Sequence, residues 1–132
     1  MIGLDTNLLV RFITGDDPEL ATVATRLIQD RCTSESPGYV GVPVLVELVW
    51  VLRRGYRYER AAVIQAIRAL LGAAELIVES AGVVQLALRD YESGTADFAD
   101  YLIGRANRAC GCARTCTFDR RAARSSLFTL AK

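Results

Sequence analysis

Short strand-like runs alternate along this chain with longer segments of helical period, and that alternation most limits the folds open to it. The runs fall at residues 1–5, Tyr39–Val42, Glu75–Glu79, Thr115–Phe118 and Leu127–Leu130. Between them the spacing predicts helices over Leu8–Ile13, from Pro18 onward, and over Pro43–Arg54, Tyr58–Leu71, Ala81–Tyr91 and Ala96–Cys110. A short Arg-rich helix is expected after Phe118. Strands separated in this way by helices pair in parallel, in a sheet covered on both faces. At 132 residues the chain suits one domain with a single core, and it shows no internal repeat.

Local signals sharpen several elements. Asp16-Asp17-Pro18-Glu19 is a helix start, with proline in the first turn and acids at the positive end of the helix dipole. The helix that follows is expected to bury Leu20, Val23, Ala24, Leu27 and Ile28, which recur at helical spacing. Val63, Ile67, Leu70 and Leu71 are the expected buried set of the segment Tyr58–Leu71, and Ser93-Gly94 breaks the chain between two later helices.

Apolar residues make up 52% of the chain, yet no unbroken apolar run is long enough to span a membrane. No basic-then-apolar leader opens it either, so the expected location is the cytoplasm. The four cysteines are too few and too uneven for a disulfide framework. Cys110, Cys112 and Cys116 have no fourth ligand nearby and are expected to be small buried thiols. The chain has no histidine, which excludes a His-based catalyst and a His-ligated zinc. Its net charge of +1 hides an imbalance: residues 105–132 carry seven cations against the single acid Asp119. All but one of the 16 cations are arginine, whose planar fork suits phosphate. A basic segment around an acid fits a polyanion that bridges a metal and the arginines.

The acids at issue are Asp5, Glu47, Asp97, Asp100 and Asp119. Asp5 ends the run Met1-Ile2-Gly3-Leu4, and Asp119 ends Thr115-Cys116-Thr117-Phe118. Ligands of open α/β sheets bind beyond the carboxyl ends of the strands, so acids there read as a site, although Asp5 also suits a helix N-cap. Glu47 is the only charged residue between Pro37 and Leu52, in a helix apolar nearly all round. Both sides of such a helix are expected to be covered, so the carboxylate needs a cation, an arginine or a water-filled cleft; an exposed stripe is the alternative. Asp97 and Asp100 share a helix face with Gly104, Asn107 and Arg108, opposite Phe98, Leu102, Ile103, Ala106, Ala109 and Cys110. Gly104 would let another group approach closely. An acid in the first turn suits the helix dipole, which is a sufficient reason for Asp97; Asp100, set deeper, is the better ligand. Carboxylates gathered at one point repel unless a cation neutralises them, and hard oxygen donors suit Mg²⁺ or Mn²⁺.

Four segments in order resemble the motifs of the PIN domain, and in particular the small toxins of bacterial VapBC toxin–antitoxin pairs. They are Leu4-Asp5-Thr6-Asn7-Leu8-Leu9-Val10-Arg11-Phe12, Pro43-Val44-Leu45-Val46-Glu47-Leu48, Ala96-Asp97-Phe98-Ala99-Asp100-Tyr101-Leu102-Ile103 and Thr117-Phe118-Asp119-Arg120. The resemblance covers almost the whole chain and implies a single PIN domain over residues 1–132. The implied fold is a three-layer α/β/α sandwich around a parallel sheet of four to five strands. The implied activity is that of a Mg²⁺- or Mn²⁺-dependent endoribonuclease. By motif, Asp5, Glu47, Asp100 and Asp119 form the ligand set, with Asp97 a further candidate beside them, and Thr6, Asn7 and Thr117 support it. The family likeness also implies a homodimer and a VapB-like antitoxin whose tail covers the groove.

The chemistry expected of such a site is hydrolysis by water activated at a divalent ion, leaving a 5′-phosphate and a 3′-hydroxyl. Single-stranded or loop RNA suits a recessed acidic cluster better than a duplex does. Arg114, Arg120, Arg121 and Arg124 are the candidates for contacts to its backbone. Trp50, Tyr56 and Tyr58 would suit a subunit or antitoxin interface if exposed, although core packing explains Trp50 about as well. A phosphoacceptor receiver domain needs a lysine late in the sheet, whereas the only lysine is Lys132. A HAD-type phosphatase wants an acid two residues after Asp5, where Asn7 stands. A PIN nuclease of RNA processing and a non-catalytic RNA- or partner-binding module remain the alternatives.

Overall fold

Two parallel ladders organise the chain, one of three strands and one of two. The computed structural model describes all 132 residues, which divide into two units, Met1–Glu79 and Ser80–Lys132. In the first unit the order is β1 (Ile2–Gly3), α1 (Thr6–Thr14), α2 (Pro18–Arg31), β2 (Gly38–Val40), α3 (Val42–Arg54), α4 (Arg60–Gly72) and β3 (Leu76–Val78). The strands pair in parallel in the order β1-β2-β3, with Gly3 opposite Tyr39 and Tyr39 opposite Ile77. Beyond the ladder, the Leu4 N–H donates to Tyr39 O and the Glu79 N–H to Val40 O, each at 2.9 Å. Asp5, Gly41 and Glu79 therefore arrive at one carboxyl edge of this sheet.

The helix ends follow from local chemistry. Asp5 caps α1, its Oδ1 accepting the Leu8 N–H at 3.0 Å, and Asp17 caps α2 by accepting the Leu20 N–H at 3.1 Å. Gly15, at φ 62, closes α1 in the left-handed conformation that glycine adopts without penalty. Beyond it, both Asp16 carboxylate oxygens accept from Arg11 Nη1, at 2.9 and 2.8 Å, and Oδ2 also accepts the Tyr56 hydroxyl at 2.6 Å. Hydrogen bonds from Tyr56 and Arg11 hold the Asp16 carboxyl down at about 2, and the network ties the end of α1 to the chain after α3.

The core of this unit centres on Leu9, Leu45, Leu48, Leu52, Val63 and Ile67, all fully buried. Two expectations fail here. In α2 only Ala24 and Ile28 are buried, whereas Leu20 and Val23 are exposed, because the helix rests on α1 along a single narrow stripe. Helix α3 buries Leu45, Leu48, Val49 and Leu52 on one side and leaves Glu47 and Trp50 exposed. Its partners in the unit, α1 and α4, cover one side of the helix rather than both. Glu47 thus needs no buried counter-charge. Tyr56 and Tyr58 are half-buried, and Trp50 is the aromatic that stands out, 61% exposed.

No side chain at Gly41 caps α3; Glu79, at the end of β3, does so instead, its Oε1 accepting the Val42 N–H at 2.7 Å. Glu79→Ala is expected to lower stability by about 1 kcal/mol, the usual worth of a helix cap, and Glu79→Gln, which keeps an accepting oxygen, to retain most of it. Urea unfolding of the three proteins checks this; an alanine variant with the parental midpoint would refute the capping role.

The second unit comprises α5 (Ala81–Ser93), α6 (Phe98–Ala109), β4 (Thr115–Thr117), a 3-10 turn at Ala122–Arg124 where a short helix was expected, and β5 (Phe128–Leu130). Strands β4 and β5 pair in parallel, Thr115 opposite Phe128 and Thr117 opposite Leu130. The α/β class is as expected, but the sheet is smaller than the four to five strands implied. The late strands pair with each other, the Thr115 N–H donating to Leu127 O and the Ala131 N–H to Thr117 O, and form a ladder of their own.

Helices α5 and α6 pack through Tyr91 and Phe98, edge to face at 5.8 Å, and through a bidentate Arg105–Asp90 pair at 2.7 and 2.9 Å. The buried face of α6 is Phe98, Tyr101, Leu102 and Gly104. Ile103, Ala106, Ala109 and Cys110, expected inside, are exposed, because the Arg105–Asp90 pair and the Tyr101 ring turn the other side inward. Gly104 does permit a close approach, but the visitor is the chain itself: a Cβ there would lie 2.8 Å from the Phe128 ring. Cys110, Cys112 and Cys116 are exposed rather than buried, two at the open end of α6 and the third on the outward side of β4. No helix is long and apolar enough to cross a membrane.

Candidate functional site

The second unit brings three of the expected acids into electrostatic contact. Asp97 ends the extended segment before α6, and its backbone oxygen accepts the Asp100 N–H at 3.1 Å, which sets Asp100 in the first turn. Asp100 is half-buried. Burial pushes its carboxyl pKa up, and the charges of Asp119 and then Asp97 push it in the same direction. Asp97 itself is exposed and caps nothing with its side chain.

Asp119 is held by the turn that follows it. Its Oδ1 accepts the Arg121 N–H at 2.8 Å and the Ala122 N–H at 3.1 Å, while its own N–H donates to Thr117 Oγ1 at 2.9 Å. Thr117 therefore orients Asp119 directly. Asn107, on the Asp100 helix, donates to Thr115 Oγ1 at 3.0 Å and fastens β4 to α6. Sequence reasoning had put Asn107 on the polar face without a partner.

The first unit carries the other two acids on packed helices. Asp5 stands at the head of α1, and Glu47 lies midway along α3, which packs against α1. Asp5 is at once cap and candidate ligand: Oδ1 is bound to the Leu8 N–H, and Oδ2 makes no bond within the chain. Glu47 makes no hydrogen bond or ion pair and is open to solvent. Thr6 is buried, while Asn7 is exposed. Glu79 also reaches the carboxyl edge of this sheet; sequence reasoning assigned it no role, and the acid at the end of the third strand was the available signal.

Neither unit by itself gathers three Asp, Glu or Cys side chains as a ready cage for a metal. The donor chemistry nonetheless suits Mg²⁺, which is held through one or two carboxylates and completes its shell with water and substrate phosphate. A carboxyl whose ionisation is opposed by burial and two neighbouring charges is the group a bound cation relieves most. Of the four candidate arginines, all are exposed; Arg121 and Arg124 line a cleft of the second unit.

The PIN domain family matches residues 2–126, a span that runs through both units. A protein of Aquifex aeolicus (strain VF5) described as a VapC ribonuclease is 25% identical over 118 residues, which is 89% of this chain and 87% of the relative.

Proposed function

Because this chain belongs to the PIN domain family, we propose that it is a divalent-metal-dependent endoribonuclease, the toxin of a toxin–antitoxin pair. The observation that most supports the reading is Asp100, half-buried and held near Asp119, in a motif order that matches the family. The similarity to a VapC ribonuclease supports RNA as substrate and a VapB-like antitoxin as partner.

On this reading both units belong to one PIN domain over residues 1–132, and the chain works as a homodimer. Asp5, Glu47, Asp100 and Asp119 hold Mg²⁺ or Mn²⁺, with Asp97 contributing negative charge at the edge. The bound ion supplies Lewis-acid activation of water and screens the scissile phosphate. Thr117 fixes the backbone of Asp119, and the Leu8 N–H fixes one oxygen of Asp5. Thr6 and Asn7 follow Asp5 as the first two residues of α1. Arg114, Arg120, Arg121 and Arg124 supply positive charge for the substrate backbone.

A metal titration of RNA cleavage by the purified chain tests the proposal. Products with 5′-phosphate and 3′-hydroxyl ends should form only with Mg²⁺ or Mn²⁺ and cease on addition of EDTA. Binding of RNA with no metal-dependent products would leave a non-catalytic module instead.

A further inference from the structure

We infer that the cleft between the end of α5 and the turn after β4 is a subsite for a phosphate of single-stranded RNA, with Arg121 and Arg124 as its paired forks. The inference deepens the ribonuclease reading above and rests on it. The cleft has a volume of about 330 Å³ and is lined by Asp90, Ser93, Thr95, Tyr101, Arg121 and Arg124, among others.

The sign of its charge follows from the pairing. Asp90 is the only acid in the wall, and Arg105 holds it through two bonds at 2.7 and 2.9 Å. The charge that remains is that of the two arginines. Neither guanidinium makes a hydrogen bond or an ion pair, so each offers all of its N–H donors. The Asp119 carboxylate accepts the Arg121 N–H at 2.8 Å, and the Arg124 N–H donates to Arg121 O at 3.2 Å. In such a 3-10 turn, residues three apart eclipse one another, which brings both arginines out on one side.

The neutral groups point the same way. Tyr101 and Ser125 each accept a backbone N–H, from Ala96 at 3.1 Å and Leu127 at 3.2 Å, which leaves each hydroxyl proton without an acceptor in the chain. The Thr95 hydroxyl is unbonded. Gly94 keeps the wall open: a Cβ there would lie 2.8 Å from Tyr101 Cζ and collide with its hydroxyl. A pocket rich in donors and poor in free acceptors matches a group that only accepts, and a phosphodiester presents two such oxygens to a pair of forks. An acidic side chain shares that chemistry. RNA is favoured because Asp119 and Arg121 leave the same turn, so a strand with a phosphate at the acids has its next charges within reach of the cleft.

The test is fluorescence anisotropy of a short labelled single-stranded RNA with the full chain in EDTA, measured across a salt series. Arg121→Ala and Arg124→Ala should each weaken binding about tenfold and make the slope of log affinity against log salt shallower by about 0.7. Arg31→Ala, an exposed charge at the end of α2, should match the parent in both. Arg121→Lys and Arg124→Lys, which keep the charge and lose the fork, should restore the slope more than the affinity. If the alanine variants bind with parental affinity and slope while the parent still cleaves with metal, the subsite is overturned and the nuclease reading stands. If they bind RNA normally but no longer bind an oligoglutamate peptide that the parent binds, the cleft takes protein carboxylates and the inference is wrong. A parent that binds no RNA overturns both.

Discussion

Asp100→Asn is expected to lower metal-dependent RNA cleavage by at least about 100-fold while leaving the fold as stable as the parent, or more so. The loss follows from the proposed ligand role, since an amide is a poor substitute for a carboxylate at a hard cation. The stability follows from the direction of the pKa. Burial, Asp119 and Asp97 raise the Asp100 carboxyl above its ordinary 3.8, so the folded chain binds this proton more tightly than the unfolded one. Such a group contributes stability at low pH that is lost as pH rises through the raised value. At neutral pH the ionised Asp100 is therefore a net burden on the metal-free fold, and asparagine removes it. Single-turnover cleavage and thermal unfolding, read together, separate this from a folding defect. Parental cleavage rates in the variant would remove Asp100 from the site.

Gly104→Leu should be the most damaging change in the second unit, costing about 3 kcal/mol and about 10 °C in Tm. A glycine inside a helix is unfavourable by about 1 kcal/mol relative to alanine, so its presence in α6 needs a reason. The Phe128 ring and Leu127 Cβ supply it, lying 2.8 and 3.1 Å from where a Cβ would sit. The displaced ring belongs to β5, which pairs with β4, and β4 leads to Asp119. Trimming the ring in the same protein, Gly104→Leu with Phe128→Leu, should recover part of the loss. A calorimetric scan in which Gly104→Leu melts with the parent would show that the ring moves aside freely.

Much of this fold was readable because its signals are local. Asp17-Pro18 and Ser93-Gly94 act within a few residues of themselves, and α2 begins and α5 ends where those signals fall. What failed depended on partners distant in sequence. The face of α6 was misread because Arg105 counts as polar in a helical pattern, yet its bond to Asp90 places it against α5. Glu47 was misread for the converse reason: an apolar helix implies cover on both sides, but only Leu45, Leu48, Val49 and Leu52 find it. Glu79 was missed because the N–H it caps lies 37 residues away. The family was readable from four motifs in order, and the match over residues 2–126 bears it out. Among the acids, the interaction of Asp100 with Asp119 joins two of those motifs in space.

The three open thiols bear on how any preparation of this protein behaves on the bench. Cys116 sits in β4 one residue before Thr117, whose hydroxyl steadies Asp119, and Cys110 and Cys112 flank the bend that leads into that strand. Accessible sulfurs of this kind are oxidised by dissolved oxygen on storage, and an oxidised sulfur at Cys116 would crowd the segment that carries Asp119. A sample aged without reductant can thus lose turnover with every carboxylate still in place, so thiol content belongs beside each activity measurement.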